Sequence, residues 1–326
     1  MLDSSETCQW ILNVHGPGGI GKTQLLYKFV EAIEQRQAKG DNLLVTKEFI
    51  DLYWTENRRT LGMLKNIADQ LSREQFIGFY AELDKYNKLL SQQFLTESSL
   101  LREQEEKVKS TFFEIYQNLS SQRIILIFDT TELAAEAAFE LWQSFSLLTQ
   151  DSDHRTLLIL AGRKKFGEFS KQDCKWLPVT GLSVDQVRIY FESMGIDLPL
   201  EIVGKVAELS EGRPILIALT VDWLRFGRLP DNLMTYTPEQ FERAMVERVQ
   251  QLQFPEDQII LAMAHFYRRF DEKLLSYVLE YIFKKTSATV IKQIESLARY
   301  SFIKYRPPVG DKPGSCTLHD EMRDLV

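Results

Sequence analysis

Residues 16–23 combine the residue types that bind a chain of phosphates, since they read Gly-Pro-Gly-Gly-Ile-Gly-Lys-Thr. Glycines let backbone N–H groups point inward around an anion, and a following helix directs the positive end of its dipole at the same place. Lys22 would reach the β- and γ-phosphates, and the Thr23 hydroxyl would hold Mg²⁺. The motif therefore predicts an ATP or ADP site with Mg²⁺. The predicted contacts are Gly16, Gly18, Gly19, Ile20, Gly21, Lys22, Thr23 and Gln24.

The segments on either side of this loop are those that the motif needs. Residues 9–15 contain an apolar stretch that predicts a strand. After the loop, apolar residues fall at helical spacing, namely Leu25, Leu26, Phe29, Val30 and Ile33. The alternative is a glycine-rich turn that happens to end in Lys-Thr, and the strand–loop–helix context counts against it.

An aspartate at the end of a second apolar strand is the predicted partner of Mg²⁺. Residues 123–128 read Arg-Ile-Ile-Leu-Ile-Phe, and Asp129 follows them. In phosphate-loop ATPases an aspartate in this position holds Mg²⁺, so Thr23 and Asp129 are the predicted metal ligands. The structural alternative for Asp129 is a turn or helix-cap role.

Two further residues are predicted to act on the γ-phosphate. Thr130 and Thr131 follow Asp129, so the next acid is Glu132, either the group that positions or deprotonates water or a glutamate that matches a helix dipole. Arg163 follows the strand predicted over 156–161 and would contact the γ-phosphate, unless it is an ordinary surface arginine. Lys22, Asp129, Glu132 and Arg163 are thus the predicted catalytic residues, and the missing acid beside Asp129 predicts slow turnover.

The order of elements predicts an α/β domain followed by helices. Candidate strands are 9–15, 43–51, 123–129, 156–161 and 176–179, with only helices over 75–120. From Ser183, a predicted helix cap, helical patterns continue to about residue 250. Helices, including one over 287–300, and a hairpin of strands 302–306 and 316–318 then follow in the order of a winged helix. We therefore expect a parallel-sheet P-loop NTPase domain (1–181), an all-α helical domain (182–252) and a winged-helix domain (253–326).

Composition narrows the function classes. A net charge of −7 disfavours a general role in binding nucleic acid. The apolar runs are too short to cross a bilayer, so we expect no membrane contact. The cysteines fit reduced thiols, which predicts a cytoplasmic protein. Three widely spaced cysteines and four histidines fit neither disulfides nor a zinc site.

With these motifs in order, the chain resembles the STAND class of signal-transduction ATPases, which includes the NB-ARC and NACHT proteins of immunity and defence. Besides the phosphate loop and the strand ending at Asp129, the resemblance rests on Glu211-Gly212-Arg213-Pro214, similar to the Gly-x-Pro motif of the class. It rests also on Leu318-His319-Asp320, similar to the Met-His-Asp motif at the end of its winged helix. The resemblance implies that Pro214 packs against adenine and that His319 donates to the β-phosphate of ADP. Leu318 and Thr130 depart from the class pattern.

The resemblance implies an ATP/ADP-dependent molecular switch, closed with ADP and opened or oligomerised with ATP, with slow hydrolysis as the reset. Members usually carry an effector and a sensor, so we expect missing modules or partner proteins and a homo-oligomer on activation. One alternative is a DNA-associated AAA+-type ATPase with a winged helix, disfavoured because residues 251–326 hold 11 Lys and Arg against 10 Asp and Glu. The others are a hydrolysis-deficient scaffold locked by nucleotide and a metabolic kinase.

Overall fold

A computed structural model describes residues 10–92, 97–119, 123–134, 136–151, 155–165, 169, 173–226, 232–250, 263, 270–284, 303–306 and 315–318. The chain divides into two compact units, one of Met1–Pro17 with Lys22–Val179 and the other of Gly18–Gly21 with Thr180–Val326. The division into three domains stays a prediction. None of the described helices is long and apolar enough to span a membrane.

The first unit is built on a parallel sheet with the order β2-β4-β5-β1-β6, and β3 pairs with β4 beyond the end of β2. The strands are β1 (Ile11–His15), β2 (Leu43–Val45), β3 (Ile50–Asp51), β4 (Arg123–Asp129), β5 (Arg155–Gly162) and β6 (Cys174–Pro178). The helices are α1 (Lys22–Ala38), α2 (Thr60–Leu71), α3 (Ile77–Ser91), α4 (Ser98–Gln117) and α5 (Glu136–Asp151). The predicted α/β domain with a parallel sheet is confirmed.

Both faces of this sheet are covered, as the apolar runs of its strands predict. On β4, Ile124, Leu126 and Phe128 pack into a large cluster with residues of α2 to α5. Ile125 and Ile127 point to the other face and pack with α1. This alternation follows from the two-residue period of a strand. With both faces covered, the carboxyl edge of the sheet is where the loops lie.

The strand predicted over 43–51 is interrupted, because Thr46 takes a different role. The Thr46 backbone N–H still donates to Ile125 O at 3.0 Å. The next ladder bond is made by the side chain, since Ile127 N donates to Thr46 Oγ1 at 2.8 Å. The backbone leaves the ladder after Thr46 and rejoins it at β3 (Ile50–Asp51). A buried hydroxyl thus replaces a backbone carbonyl at this edge of β4.

The second unit has a helical part and a small antiparallel sheet. Its helices are α6 (Val184–Ser193), α7 (Leu200–Leu209), α8 (Pro214–Phe226), α9 (Pro238–Gln250) and α10 (Glu272–Phe283). Ser183 and Gln186 form the capping box predicted for the start of α6. Strands β7 (Phe270–Asp271), β8 (Ile303–Arg306) and β9 (Ser315–Leu318) pair in the order β7-β9-β8. The two hairpin strands lie within a residue of their predicted bounds, whereas the winged-helix assignment stays a prediction and the helix expected over 287–300 lies outside the described residues.

Candidate nucleotide-binding site

The phosphate loop lies between β1 and α1, and α1 begins at Lys22. Gly19 and Gly21 have φ values of 62° and 95°, which side chains other than glycine rarely adopt. The Lys22 ammonium donates to Gly16 O at 2.8 Å and to Pro17 O at 2.7 Å. The lysine is therefore held within the loop by the loop's own backbone, with its charge at the start of the helix where an anion is favoured.

The electrostatic surroundings of the loop are positive. His15 is the last residue of β1 and precedes the loop directly. Burial lowers the pKa of His15, and the positive charges of Lys165 and Lys22 lower it further. Lys165 and Lys22 thus place two positive charges near His15 and the start of the loop, and such charges attract phosphate.

Thr23 and Asp129 meet as the sequence predicts. The Thr23 hydroxyl donates to Asp129 Oδ2 at 3.1 Å, across β5, which lies between β1 and β4 in the sheet. Asp129 is only 7% exposed, and its Oδ1 accepts from Thr130 N at 2.8 Å. Among the described residues no group of three or more His, Cys, Asp or Glu side chains could hold a metal. A hydroxyl beside one carboxylate fits Mg²⁺, which takes few protein ligands and keeps its waters and substrate phosphates.

Glu132 and Arg163 form a pair at the end of β5. Glu132 lies in a short 3-10 turn, Thr131–Leu133, and its Oε2 accepts from the backbone N of Arg163 at 3.0 Å. Glu132 Oε1 lies 3.4 Å from Arg163 Nε. A Cβ at Gly162 would lie 2.8 Å from Glu132 Oε2 and 2.4 Å from Thr131 Oγ1, so this approach requires glycine. The Glu132 carboxylate therefore positions the end of β5 and the Arg163 side chain.

The structure adds Asp51 and Thr130, which the sequence analysis did not select. Asp51 ends β3 in register with Asp129 at the end of β4. The Thr130 hydroxyl donates to Asp51 Oδ1 at 2.7 Å. One feature of the sequence could have indicated Asp51, because the apolar stretch 43–51 ends in an aspartate, as the stretch 123–129 does.

Pro214 belongs to the second unit, together with Gly18–Gly21. It is the first residue of α8, where proline is tolerated because the first turn of a helix needs no N–H donor. A Cβ at Gly21 would lie 3.9 Å from Pro214 Cγ, an ordinary van der Waals distance. Leu318 is buried among the residues of this unit, whereas His319 lies outside the described residues.

Comparison with known proteins shows a similarity in fold but none in sequence. No family model and no curated protein matches the chain in sequence. A Signal Transduction ATPase with Numerous Domains (STAND) protein with a tetratricopeptide repeat sensor from Pyrococcus horikoshii matches with a TM-score of 0.53 and 14% identity. The match covers 98% of this chain and 40% of that protein, so the chain spans about two fifths of its length.

The fold of this chain is similar to that of this STAND ATPase. A Walker-type ATPase of Pyrococcus abyssi matches over 99% of this chain and 92% of that one, with 16% identity and a TM-score of 0.44. Cdc6p from Pyrobaculum aerophilum matches over 96% and 84%, with 13% identity and a TM-score of 0.41.

Within this P-loop ATPase fold, the structure brings four of the predicted site residues into two pairs. Thr23 contacts Asp129, and Glu132 contacts Arg163. Lys22 and Gly16 are joined within the loop. The roles of these residues in catalysis and nucleotide binding stay predictions.

Replacing Asp129 by asparagine should weaken the Mg²⁺-dependent part of ATP binding about 10–100-fold, the range for loss of a group that supports a bound metal. Asparagine keeps the oxygen that accepts from Thr130 N but loses the negative charge, so the fold should persist. ATP titrations with Mg²⁺ and with a chelator measure the difference. Equal Mg²⁺ dependence in both proteins would contradict the assignment of Asp129 as a metal partner.

Proposed function

We propose that this chain is the nucleotide-binding core of an ATP/ADP-dependent molecular switch that hydrolyses ATP slowly. The observation that carries the proposal is the contact between Thr23 Oγ1 and Asp129 Oδ2 at 3.1 Å. It joins the phosphate loop to the acidic strand end, and these are the two halves of a Mg²⁺–nucleotide site. The loop lysine, held beside them by Gly16 and Pro17, supplies the charge for the β- and γ-phosphates.

A switch rather than a simple enzyme is supported by the second unit. The turn that precedes Pro214 has two successive residues with positive φ, Glu211 at 52° and Gly212 at 66°. This turn presents the proline ring near the loop glycine Gly21. A ligand held by groups that differ between two arrangements of a protein shifts the equilibrium between them. ADP held by the loop, Pro214 and His319 would favour the closed form, and ATP would favour the open form through its γ-phosphate.

Arg163 is the candidate for the contact that distinguishes ATP from ADP. Its backbone and side chain are both fixed by Glu132, so a γ-phosphate would meet a guanidinium whose place is already set. The same proposal includes sensor and effector modules or partner proteins that act with this core, and a homo-oligomer that forms on activation. DNA binding that weakens with salt, measured by the electrophoretic mobility of DNA, would instead favour the DNA-associated ATPase.

The test is the fate of bound ADP when His319 is replaced by alanine. Loss of one hydrogen bond to a charged phosphate should speed ADP release about tenfold. His319→Gln keeps a side-chain N–H donor and serves as the matched control, with release closer to that of the wild type. Release of fluorescent ADP, followed by stopped flow, measures both variants, and size-exclusion chromatography with ATP reports the oligomer. Unchanged ADP retention and oligomer state in His319→Ala would refute the switch contact.

A further inference from the structure

Asp51 lies beside Asp129 at the carboxyl edge of the sheet and belongs to neither sequence motif. Strand β3 runs parallel to β4, with Ile50 opposite Phe128 and Asp51 opposite Asp129. The carboxyl ends of parallel strands meet at one edge of the sheet, where ligands of this fold bind. Asp51 therefore lies directly opposite Asp129, the acid that we assign to Mg²⁺, on the neighbouring strand.

Thr130 connects Asp51 to the site and is held in an unfavourable backbone conformation. Its φ of 58° lies in the left-handed region, which is rare for a β-branched residue. Its backbone N–H donates to Asp129 Oδ1, and its carbonyl accepts from Leu133 N at 3.0 Å. Conformations of this kind persist where the surrounding contacts impose them, and they concentrate at functional sites.

The direction of the Thr130–Asp51 hydrogen bond has a chemical consequence. A carboxylate only accepts, so the Thr130 hydroxyl commits its single proton to Asp51 Oδ1 at 2.7 Å, and Tyr53 N donates to the same oxygen at 3.0 Å. Any further hydrogen bond to that oxygen must then be one that it accepts. Thr130 therefore offers an acceptor to water, at the chain position directly after Asp129.

Glu132, the acid expected from the sequence, has its carboxylate engaged elsewhere. Both oxygens contact Arg163, one through the backbone N and one through the guanidinium. Protonation of Glu132 would remove the negative charge that pairs with the Arg163 guanidinium.

We propose that Thr130 and Asp51 form a relay that orients and deprotonates the water that attacks ATP. This inference rests on the proposed function. The water oxygen bonds to the γ-phosphorus while the bond from that phosphorus to the β–γ bridging oxygen breaks, and ADP leaves with the electron pair. The water proton passes to Thr130 Oγ1 as the hydroxyl proton passes to Asp51, which then releases it to solvent. Asp51 is a positioning residue that acts through Thr130, and both contribute to turnover rather than to affinity.

Single-turnover hydrolysis of ATP with protein in excess tests the relay, alongside equilibrium binding of ADP and of ATP with Mg²⁺. Asp51→Asn should slow hydrolysis about 100-fold, within the range for general base catalysis, with both affinities changed less than about threefold. Asp84→Asn, on the exposed surface of α3, removes the same charge elsewhere and should leave the rate unchanged.

A pair of variants at Thr130 separates the hydroxyl from the backbone conformation. Thr130→Ser keeps the hydroxyl without the β-branch and should hydrolyse ATP within about threefold of the wild type. Thr130→Gly suits the left-handed conformation but removes the hydroxyl, and it should lose about as much rate as Asp51→Asn. This pair also decides the matter if Asp51→Asn does not fold.

The outcomes distinguish the relay from the function on which it rests. Hydrolysis by Thr130→Gly or by folded Asp51→Asn at the wild-type rate would overturn the relay and leave the switch intact. A wild-type protein that binds ATP but never hydrolyses it would overturn the relay and favour the nucleotide-locked scaffold. A wild-type protein that binds no nucleotide would overturn the proposed function itself.

Discussion

Replacing Lys22 by alanine should lower the affinity for ATP and ADP about 100-fold or more while the protein stays folded. The side chain would supply two or more charge-assisted hydrogen bonds to the β- and γ-phosphates, and each such bond contributes more than a neutral one. The change also removes the two contacts that Lys22 makes with Gly16 O and Pro17 O. Pro17 is exposed, so water can replace the lysine at its carbonyl at small cost, whereas the carbonyl of the buried Gly16 loses one side-chain donor.

Isothermal titration with ATP and ADP measures this loss, with circular dichroism to confirm the fold. Lys28→Ala is the matched control, because Lys28 lies on the same helix, its side chain is 74% exposed and its ammonium pairs with Glu31 on the surface. It should bind nucleotide as the wild type does. Wild-type affinity in Lys22→Ala would show that the loop does not bind phosphates in the predicted way.

Replacing Gly212 by alanine should destabilise the second unit by about 3 kcal/mol or more, from a left-handed residue and a steric overlap together. The φ of Gly212 is 66°, and a Cβ there would lie 2.5 Å from both N and O of Leu182. Leu182 N donates to Gly212 O at 2.8 Å, so the two backbones cannot separate without losing that bond. The same approach is seen from Gly181, where a Cβ would lie 2.2 Å from Glu211 O.

Gly204→Ala supplies the contrast within the same unit. Gly204 lies inside α7, and nothing lies within 4 Å of a Cβ built there. Alanine there should stabilise the helix by about 0.5–1 kcal/mol. Urea unfolding of both variants measures the difference. Equal stabilities would show that the Gly181–Leu182 and Glu211–Gly212 backbones are not held together.

Patterns local in sequence predicted most of the first unit. The continuous apolar run of β4 depends on a few neighbouring residues, as does the cap at Ser183 in the second unit, so both can be predicted without knowledge of the fold. The pairing of Thr23 with Asp129 was predictable because the motif implies it. Asp51 was missed because its importance comes from the register of β3 against β4, and that register depends on where Thr46 ends β2. Single-sequence patterns do not contain such cross-strand geometry.

Contacts between segments far apart in the sequence could not be predicted from local patterns. The engagement of Glu132 with Arg163 depends on the close approach of a turn to the end of β5, which requires glycine at position 162. Hydrophobic periodicity says nothing of this distance. The sequence left the role of Glu132 open between an acid that acts on water and a helix-start residue, and its contacts with Arg163 were foreseen by neither alternative.

Gly162 is the point where three segments of the site meet. Its carbonyl accepts from Gly16 N at 3.3 Å, which attaches the start of the phosphate loop to the end of β5. The space that a side chain would occupy there is filled by Thr131 and Glu132. Gly162 therefore contacts both the loop and the turn that holds Glu132, at the end of the strand that precedes Arg163. A side chain at position 162 would therefore disturb all three segments at once.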